Sequence, residues 1–302
     1  MLTLYVKNAF NSAPWEAILV AARAKNVPND LIRILEAYLS ERSVVVSNPS
    51  GSTSFTKTMT CGVPQGSVLG PDLWNLLYDG LLKLPMPPEV ELIAYADDVA
   101  IVCCSQIPFL LEERLKESFD LVSKWMATIG LELAAEKSEC IVITKKRVRN
   151  EITVQCGDHS IQSSPSLRYL GVQIDKKINF VEHADLVSKR AAVAARQLGF
   201  LMPNLRGPRQ KCKRLLSSVV ASILLYAAPI WAPTMGRKGW SKLAGVHRSS
   251  QLRVACFYST VSHEAAAVVS GIPPIKLLVK ERQALRNGEN KEETSAVLIA
   301  DW

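Results

Sequence analysis

The apolar residues in the first part of the chain follow two periods. Short apolar runs rich in β-branched residues indicate strands, and apolar residues spaced three and four apart indicate helices. Strands are predicted at residues 2–6, 43–47, 54–60, 90–95, 99–104, 139–144, 152–156 and 168–174. Helices are predicted at residues 15–25, 29–40 and 107–129, and from the end of a glycine-rich segment, 62–71, to about residue 83. This alternation predicts a mixed α/β unit.

Two polar signals refine these elements. Asn29 precedes an apolar helical pattern and is a candidate N-cap for the second helix. The sequence Asn48-Pro49-Ser50-Gly51 is a turn signal between two strand-like runs. The strands at 43–47 and 54–60 are therefore predicted to form a hairpin.

From Val181 onward the pattern is helical, and no convincing strand follows. Helices are predicted at residues 184–202, 208–231, 238–257 and 262–269. The change of pattern near Asp175 predicts two domains, a mixed one at residues 1–175 and a helical one at 176–286. The polar stretch at 287–295 predicts a disordered tail over residues 287–302.

Charge divides the chain at the same point. Net charge is +8, yet residues 176–263 contain 15 Lys and Arg against 2 Asp and Glu, whereas residues 1–175 contain 16 against 20. A stretch at +13 indicates contact with a polyanion, either nucleic acid or an anionic membrane surface. A basic face that only keeps the protein soluble is the alternative. With 48% hydrophobic and 21% charged residues, the chain does not belong to the disordered class.

The cysteines and the longest apolar run exclude two further classes. The seven cysteines form no CxxC pair, which excludes a zinc knuckle or a disulfide framework. Without a charged-then-apolar leader at Met1, we expect an intracellular protein, cytoplasmic or nuclear, with reduced thiols. The run at 215–231 is slightly short for a membrane span and contains three serines and Pro229. It predicts a buried helix and no membrane contact.

Two sequence features are candidates for chemistry. Asp97 and Asp98 lie between two apolar strands, where adjacent carboxylates repel each other unless a cation is bound. Such hard oxygen ligands suit Mg²⁺, although an acidic surface turn is the structural alternative. The segment 62–71 has glycine at three of ten positions, so its backbone can approach a ligand closely.

The acidic hairpin also carries a family resemblance. The string LIAYADDVAIV around Asp97 and Asp98 resembles the catalytic hairpin of reverse transcriptases. Four more segments resemble motifs of these enzymes in the same order, namely 3–12 (first palm motif), 62–71 (second), 129–131 with Lys137 (fourth) and 168–172 (primer grip). LWNLLYDGLL at 73–82 and the segments LLYAAPIWA, LRVACFYSTVSHEA and GIPPIKLL are similar to non-LTR retrotransposons of the R1-like clade.

The resemblance covers residues 2–286 and implies a right-hand polymerase fold. In that fold an α+β palm, with an antiparallel sheet and helices, precedes an all-helical thumb. The implied activity is RNA-directed DNA polymerisation, with an RNA template, a DNA primer and deoxynucleoside triphosphates as partners. Two Mg²⁺ or Mn²⁺ ions would be the cofactors, and Asp97 and Asp98 would be catalytic metal ligands. Lys137 would be a catalytic acid near the leaving phosphate, unless it is only a solvated lysine at a helix end.

The resemblance also implies binding residues. Phe10 would lie below the sugar and exclude a 2′-hydroxyl, and Gln65 and Gly66 would contact the nucleotide and the template. Leu170 and Gly171 would support the primer end. Each has a structural alternative. Phe10 would be only a buried aromatic, Gln65 and Gly66 would form a tight surface turn, and Leu170 and Gly171 would be part of the core.

Tyr5 departs from the family pattern. Phe10, five residues onward, fixes the register and aligns Tyr5 with the first metal-binding aspartate of relatives. A phenol with a pKa near ~10 is neutral at physiological pH, so this degenerate catalytic position contributes little charge. We therefore expect crippled activity.

The chain also begins at the first motif, which indicates a truncated copy without the upstream fingers. Three hypotheses follow, in order of preference. They are a polymerase, an inactive nucleic-acid-binding remnant, and a membrane-attached protein that uses residues 215–231.

Overall fold

A computed structural model describes residues 1–47, 54–146, 151–203 and 207–302. The predicted turn at residues 48–51 lies outside these described residues. The chain forms two compact units, Met1–Leu167 and Arg168–Trp302. This division comes earlier than the expected boundary at 175, because Val172 and Ile174 pack with the core of the second unit.

The first unit contains a six-stranded sheet, and its helices pack in one core with that sheet. Its strands are β1 Leu2–Tyr5, β2 Ser43–Ser47, β3 Ser54–Thr58, β4 Val90–Tyr95, β5 Asp98–Cys103, β6 Glu139–Ile141, β7 Thr153–Cys156 and β8 His159–Ser164. Its helices are α1 Ala9–Ser12, α2 Trp15–Ala24, α3 Asn29–Leu39, α4 Gly70–Leu82 and α5 Pro108–Thr128. The predicted helices and the acidic hairpin are confirmed, but the N-cap of α3 is Pro28 and Asn29 is its first residue.

The strand order in the large sheet is β4-β5-β1-β6-β8-β7, and β2 pairs separately with β3. The sheet is mostly antiparallel, as expected, but β6 pairs with β8 in parallel, so the sheet is mixed. The cause is the β7–β8 hairpin, which turns the chain back so that β8 runs in the direction of β6. The apolar pattern missed β8 because Ile161 is its only apolar residue.

Alternation along the central strands determines which side chains meet the helices. Leu2, Leu4, Val99 and Ile101 are fully buried and belong to the same cluster as residues of α4 and α5. Successive strand residues point to opposite faces, so the intervening positions lie on the other face of the sheet. Those positions include Tyr5 and Asp98.

The second unit begins with a hairpin and continues as helices. The hairpin strands are β9 Ser166–Tyr169 and β10 Val172–Asp175. The helices are α6 Val181–Phe200, α7 Gln210–Leu224, α8 Ala228–Trp231, α9 Arg237–Ala255, α10 His263–Ser270, α11 Ile275–Arg286 and α12 Lys291–Asp301. The expectation of a helical second part is confirmed, whereas the single strand predicted at 168–174 is two strands joined at Leu170 and Gly171.

Two further differences concern helix limits. The helix predicted at 208–231 is interrupted, because Ala227 has a left-handed φ of 52° between α7 and α8. Within the described residues, every helix is too short or too polar to cross a bilayer. Helix α12 lies where we expected a disordered tail, and Asn290 caps it while Lys280 pairs with Asp301 at 3.2 Å.

Two histidines lie in the interior of the second unit. His183 and His247 are each 2% exposed. Burial lowers the pKa of each to about 4 from the ordinary 6.5, and nearby His263 contributes for His247. Neither ring nitrogen of His247 has a hydrogen-bond partner among the described residues. Both side chains are therefore neutral in the folded protein at neutral pH.

This burial predicts that the second unit loses stability in mild acid. The unfolded chain binds protons near pH 6.5 and the folded chain only near pH 4, so the free energy of unfolding decreases as pH falls between them. We expect a loss of about 2 kcal/mol per histidine between pH 7 and pH 5. Urea unfolding followed by tryptophan fluorescence measures it. His247→Leu should reduce the loss, the exposed control His159→Gln should not, and equal stability at both pH values would contradict the prediction.

Candidate active site

The two adjacent aspartates lie at the tight turn that joins β4, an edge strand of the large sheet, to β5. Ala96 and Asp97 form the turn between β4 and β5, and Asp98 begins β5. Asp98 is opposite Tyr95 on β4 and opposite Tyr5 on β1. The predicted adjacency of the Tyr5 strand and the acidic hairpin is confirmed.

The register arranges these three side chains as one row across one face of the sheet. Directly opposite residues of antiparallel strands lie on the same face, about 4.5–5.5 Å apart at Cβ. Asp97 is hydrogen-bonded to the end of β1, since the backbone N–H of Val6, the residue after β1, donates to the Asp97 carbonyl at 3.3 Å. The phenol of Tyr5 therefore lies on the side of Asp98 where β1 contacts the turn.

The two carboxylates differ in exposure. Asp97 is exposed and Asp98 is half-buried. Burial raises the pKa of Asp98 above its ordinary value, and the charge of Asp97 raises it further. Both causes disfavour a second negative charge at this turn, and a bound cation would offset both.

The turn contains a residue in a strained backbone conformation, and a hydrogen bond from a buried side chain stabilises it. Ala96 has a φ of 52°, a left-handed conformation that residues other than glycine seldom adopt. The indole N–H of Trp74, on α4, donates to the Ala96 carbonyl at 2.9 Å. Trp74 is 1% exposed and stacks on Phe10, with ring centroids 5.2 Å apart. One buried tryptophan thus fixes the catalytic-type turn and the half-buried aromatic predicted to select the sugar.

Sequence reasoning did not identify this role of Trp74. The residue fits the apolar face of α4, and periodicity does not show which carbonyl an indole N–H will reach. The available signal was the string LWNLLYDGLL itself, because a tryptophan in a buried helix position requires a partner for its N–H.

The glycine-rich segment packs beside Phe10. The backbone N–H of Val63 donates to the Phe10 carbonyl at 2.6 Å. Gly62 has a φ of 96°, and a Cβ there would lie 2.7 Å from the carbonyl oxygen of Asn11. This close approach requires glycine, and beyond it Gln65 and Gly66 are exposed. The structure therefore brings Phe10, this loop and the acidic turn into one region.

The remaining predicted residues are distributed over two places. Lys137 is exposed at the end of a short 3₁₀ helix, Ala135–Lys137, whose preceding residue Ala134 donates its backbone N–H to the Tyr5 carbonyl at 2.8 Å. The segment of Lys137 thus borders β1 at Tyr5. Leu170 and Gly171 belong to the second unit, in the turn between β9 and β10.

The donor set does not fit a pair of divalent ions. Asp97 and Asp98 supply hard oxygen ligands suited to Mg²⁺, but the opposing position on β1 is occupied by a neutral phenol. Across the described ranges, no group of three or more His, Cys, Asp or Glu side chains is placed to bind a metal ion. Two closely spaced cations repel strongly, and two carboxylates offset that repulsion less than three would.

Comparison with known proteins connects this geometry to a family. The family model "Reverse transcriptase (RNA-dependent DNA polymerase)" matches residues 1–174. The chain is 28% identical over 276 residues to "Putative 115 kDa protein in type-1 retrotransposable element R1DM" of Drosophila melanogaster, across 91% of this chain and 26% of that protein. It is 28% identical over 239 residues to "RNA-directed DNA polymerase from mobile element jockey" of the same fly, across 76% of this chain and 25% of that protein.

These two relatives are much longer than the chain, which spans about a quarter of each. A solved structure of apo telomerase from Candida tropicalis aligns over 97% of this chain and 52% of its own chain. Its TM-score is 0.45 at 11% identity, a likeness too weak to inform the site.

The position of Tyr5 predicts that a carboxylate there restores cation binding. We expect Tyr5→Asp to raise Mn²⁺ affinity by roughly tenfold or more, equivalent to about 1.4 kcal/mol, because it adds charge and removes the ring. Isothermal titration calorimetry measures the affinity, and thermal unfolding verifies the fold.

Two variants serve as controls for this substitution. Tyr5→Asn has nearly the shape of aspartate without its charge and should not bind better. Tyr95→Asp adds a carboxylate on the opposite side of Asp98 and should gain less than Tyr5→Asp. A folded Tyr5→Asp protein that binds Mn²⁺ no better than the native chain would show that Tyr5 is not at the ligand position.

Proposed function

Because the chain belongs to the reverse transcriptase (RNA-dependent DNA polymerase) family, we propose that it binds an RNA template paired with a DNA primer without extending the primer. The observation that carries this proposal is the pairing of Tyr5 with Asp98 in the sheet register. It leaves a phenol where the family resemblance implies a third carboxylate.

The site's own residues support a loss of chemistry at the acidic turn. Reverse transcriptases generally use divalent metal ions, and here only Asp97 and Asp98 would ligate them. Loss of one preorganised electrostatic group from an active site costs roughly 3–4 kcal/mol in the barrier. The rest of the region is retained, since Phe10 stacks on Trp74 and the loop with Gln65 packs beside it. A deoxynucleoside triphosphate could therefore still bind at this region without reacting.

The charge of the second unit supports nucleic-acid binding. The two acidic residues of the basic stretch 176–263 are Glu182 and Asp185, and Asp185 pairs with both Lys189 and Lys242. Among the described residues of this stretch, no other Lys or Arg forms an ion pair with a carboxylate. Such a surface releases counterions when it contacts phosphates, which makes binding strong at low salt and nearly independent of sequence.

One cavity in this unit concentrates uncompensated charge. Arg196 on α6 and Arg253 on α9 line a cavity of about 280 Å³ together with Ser249. In the described part of the chain, neither arginine pairs with a carboxylate. Two guanidinium groups suit a backbone phosphate, which accepts charge-assisted hydrogen bonds from both. The Ser249 hydroxyl donates to the Gly245 carbonyl at 3.1 Å.

A working polymerase is the second candidate, favoured by the retained Asp97–Asp98 turn. Primer extension distinguishes the two. We expect the native chain to give no Mg²⁺-dependent extension of a DNA primer on an RNA template, even at enzyme excess. Extension that disappears in Asp98→Asn would establish the polymerase instead. The Asp98→Asn control separates the chain's own activity from a contaminating enzyme.

The cavity predicts a specific change in salt dependence. The double variant Arg196→Ala with Arg253→Ala should weaken binding of an RNA–DNA duplex and reduce the slope of log Kd against log salt by about 1 to 2, because each phosphate contact contributes roughly 0.9. Fluorescence anisotropy between low and high salt measures it.

A charge-matched control comes from α11. Arg282→Ala with Arg286→Ala removes two exposed arginines that lie outside the basic stretch. This control should change the slope by less. Equal effects of the two double variants would mean that only net charge matters and that the cavity binds no phosphate.

A further inference from the structure

The turn between β9 and β10 has an unusual backbone. Leu170 and Gly171 both have left-handed φ values, 46° and 81°. Two-residue hairpin turns with both φ values positive usually contain Asn-Gly or Asp-Gly, because a side chain such as leucine is strained there. A strained residue persists only where its surroundings impose the conformation, so the contacts of this turn indicate what maintains it.

Tyr226 makes those contacts. Its hydroxyl donates to the Leu170 carbonyl at 2.8 Å. Its ring lies where a side chain on the next residue would be, since a Cβ on Gly171 would lie 3.0 Å from it. One side chain thus fixes the carbonyl of the first turn residue and packs closely on the second.

Tyr226 is itself fixed to the core of the same unit. It lies in the break between α7 and α8, next to the left-handed Ala227. The indole N–H of Trp231 donates to the Tyr226 carbonyl at 2.8 Å, and Trp231 is fully buried. A continuous path of contacts therefore runs from the core through Tyr226 to the turn, while 53% of Tyr226 remains exposed beside it.

We infer that Tyr226 is a positioning residue for the primer end. This inference rests on the proposed function and on the role that the family resemblance implies for Leu170 and Gly171, which is to support the primer's 3′ terminus. Tyr226 fixes the position of the Leu170 carbonyl and excludes a side chain at Gly171. It thereby determines the backbone conformation of the turn. A purely structural tyrosine would instead stabilise the unit without affecting where the primer ends.

The test separates placement of the terminus from overall affinity. The probes are an RNA template with a recessed DNA primer and a blunt RNA–DNA duplex of equal length, each with 2-aminopurine at the DNA 3′ end. Tyr226→Phe keeps the ring and removes one hydrogen bond. We expect it to lose roughly fivefold to tenfold in preference for the recessed end, the size of one hydrogen bond. Its affinity for the blunt duplex should not change, and the 2-aminopurine signal should shift only for the recessed probe.

A second variant tests the same turn without changing the tyrosine. Gly171→Ala should show the same selective loss, because the methyl group meets the Tyr226 ring at 3.0 Å. Gly157→Ala is its matched control, since Gly157 also has a positive φ, 60°, in a hairpin turn but no atom within 4 Å of a Cβ. Tyr258→Phe, at a tyrosine that is 83% exposed in the same unit, controls for loss of a phenol hydroxyl. Both controls should behave as the native chain does.

The outcomes distinguish this inference from the proposed function. If the native chain binds neither probe, the proposed function fails and the inference with it. If the native chain binds both probes but shows no preference for the recessed end, only the inference is overturned. The same holds if it prefers the recessed end and Tyr226→Phe retains that preference in full.

Discussion

The antiparallel pairing of β1 with β5 is the constraint on which the candidate site depends. It places Leu4 opposite Val99 in the core and Tyr5 opposite Asp98 on the other face. Because side chains alternate along a strand, a shift of one residue would bury the aspartate and expose the leucine. The hydrophobic core therefore determines that a phenol lies beside the carboxylate. Leu4 and Val99 thus determine which side chains meet at the site, although neither of them belongs to it.

The turns at Ala96 and Leu170 are stabilised in the same way. Ala96 and Leu170 both adopt a left-handed conformation without being glycine, and each carbonyl accepts a hydrogen bond from an aromatic side chain. The donor is the Trp74 indole in the first unit and the Tyr226 hydroxyl in the second. Each donor is connected to the core of its own unit, through the helix α4 in one case and through Trp231 in the other. Backbone strain at these turns is thus offset by contacts that packing supplies.

The acidic turn and the basic stretch 176–263 are separate sets of residues. The acidic turn depends on a few side chains in a fixed register, so the proposed loss of chemistry rests on the single pairing of Tyr5 with Asp98. The basic stretch 176–263 depends on the sum of many cations, and no single one of them decides its attraction for a polyanion. The buried His183 and His247 are neutral at neutral pH, so they add no charge to that attraction.

The sequence by itself determined the elements whose pattern is strong and local. The apolar alternation around Asp97 and Asp98 predicted the hairpin, which the structure confirms. The spacing from Phe10 predicted that Tyr5 is the altered position, and this stays a prediction. Periodicity failed where polar residues form a strand, as in β8, and where a left-handed residue such as Ala227 interrupts an apolar helix. It also could not reveal that residues 168–174 turn back at Leu170, since leucine seldom adopts a left-handed conformation and the supporting Tyr226 is distant in sequence. Those features depend on side chains distant in sequence, and only the tertiary structure brings such side chains together.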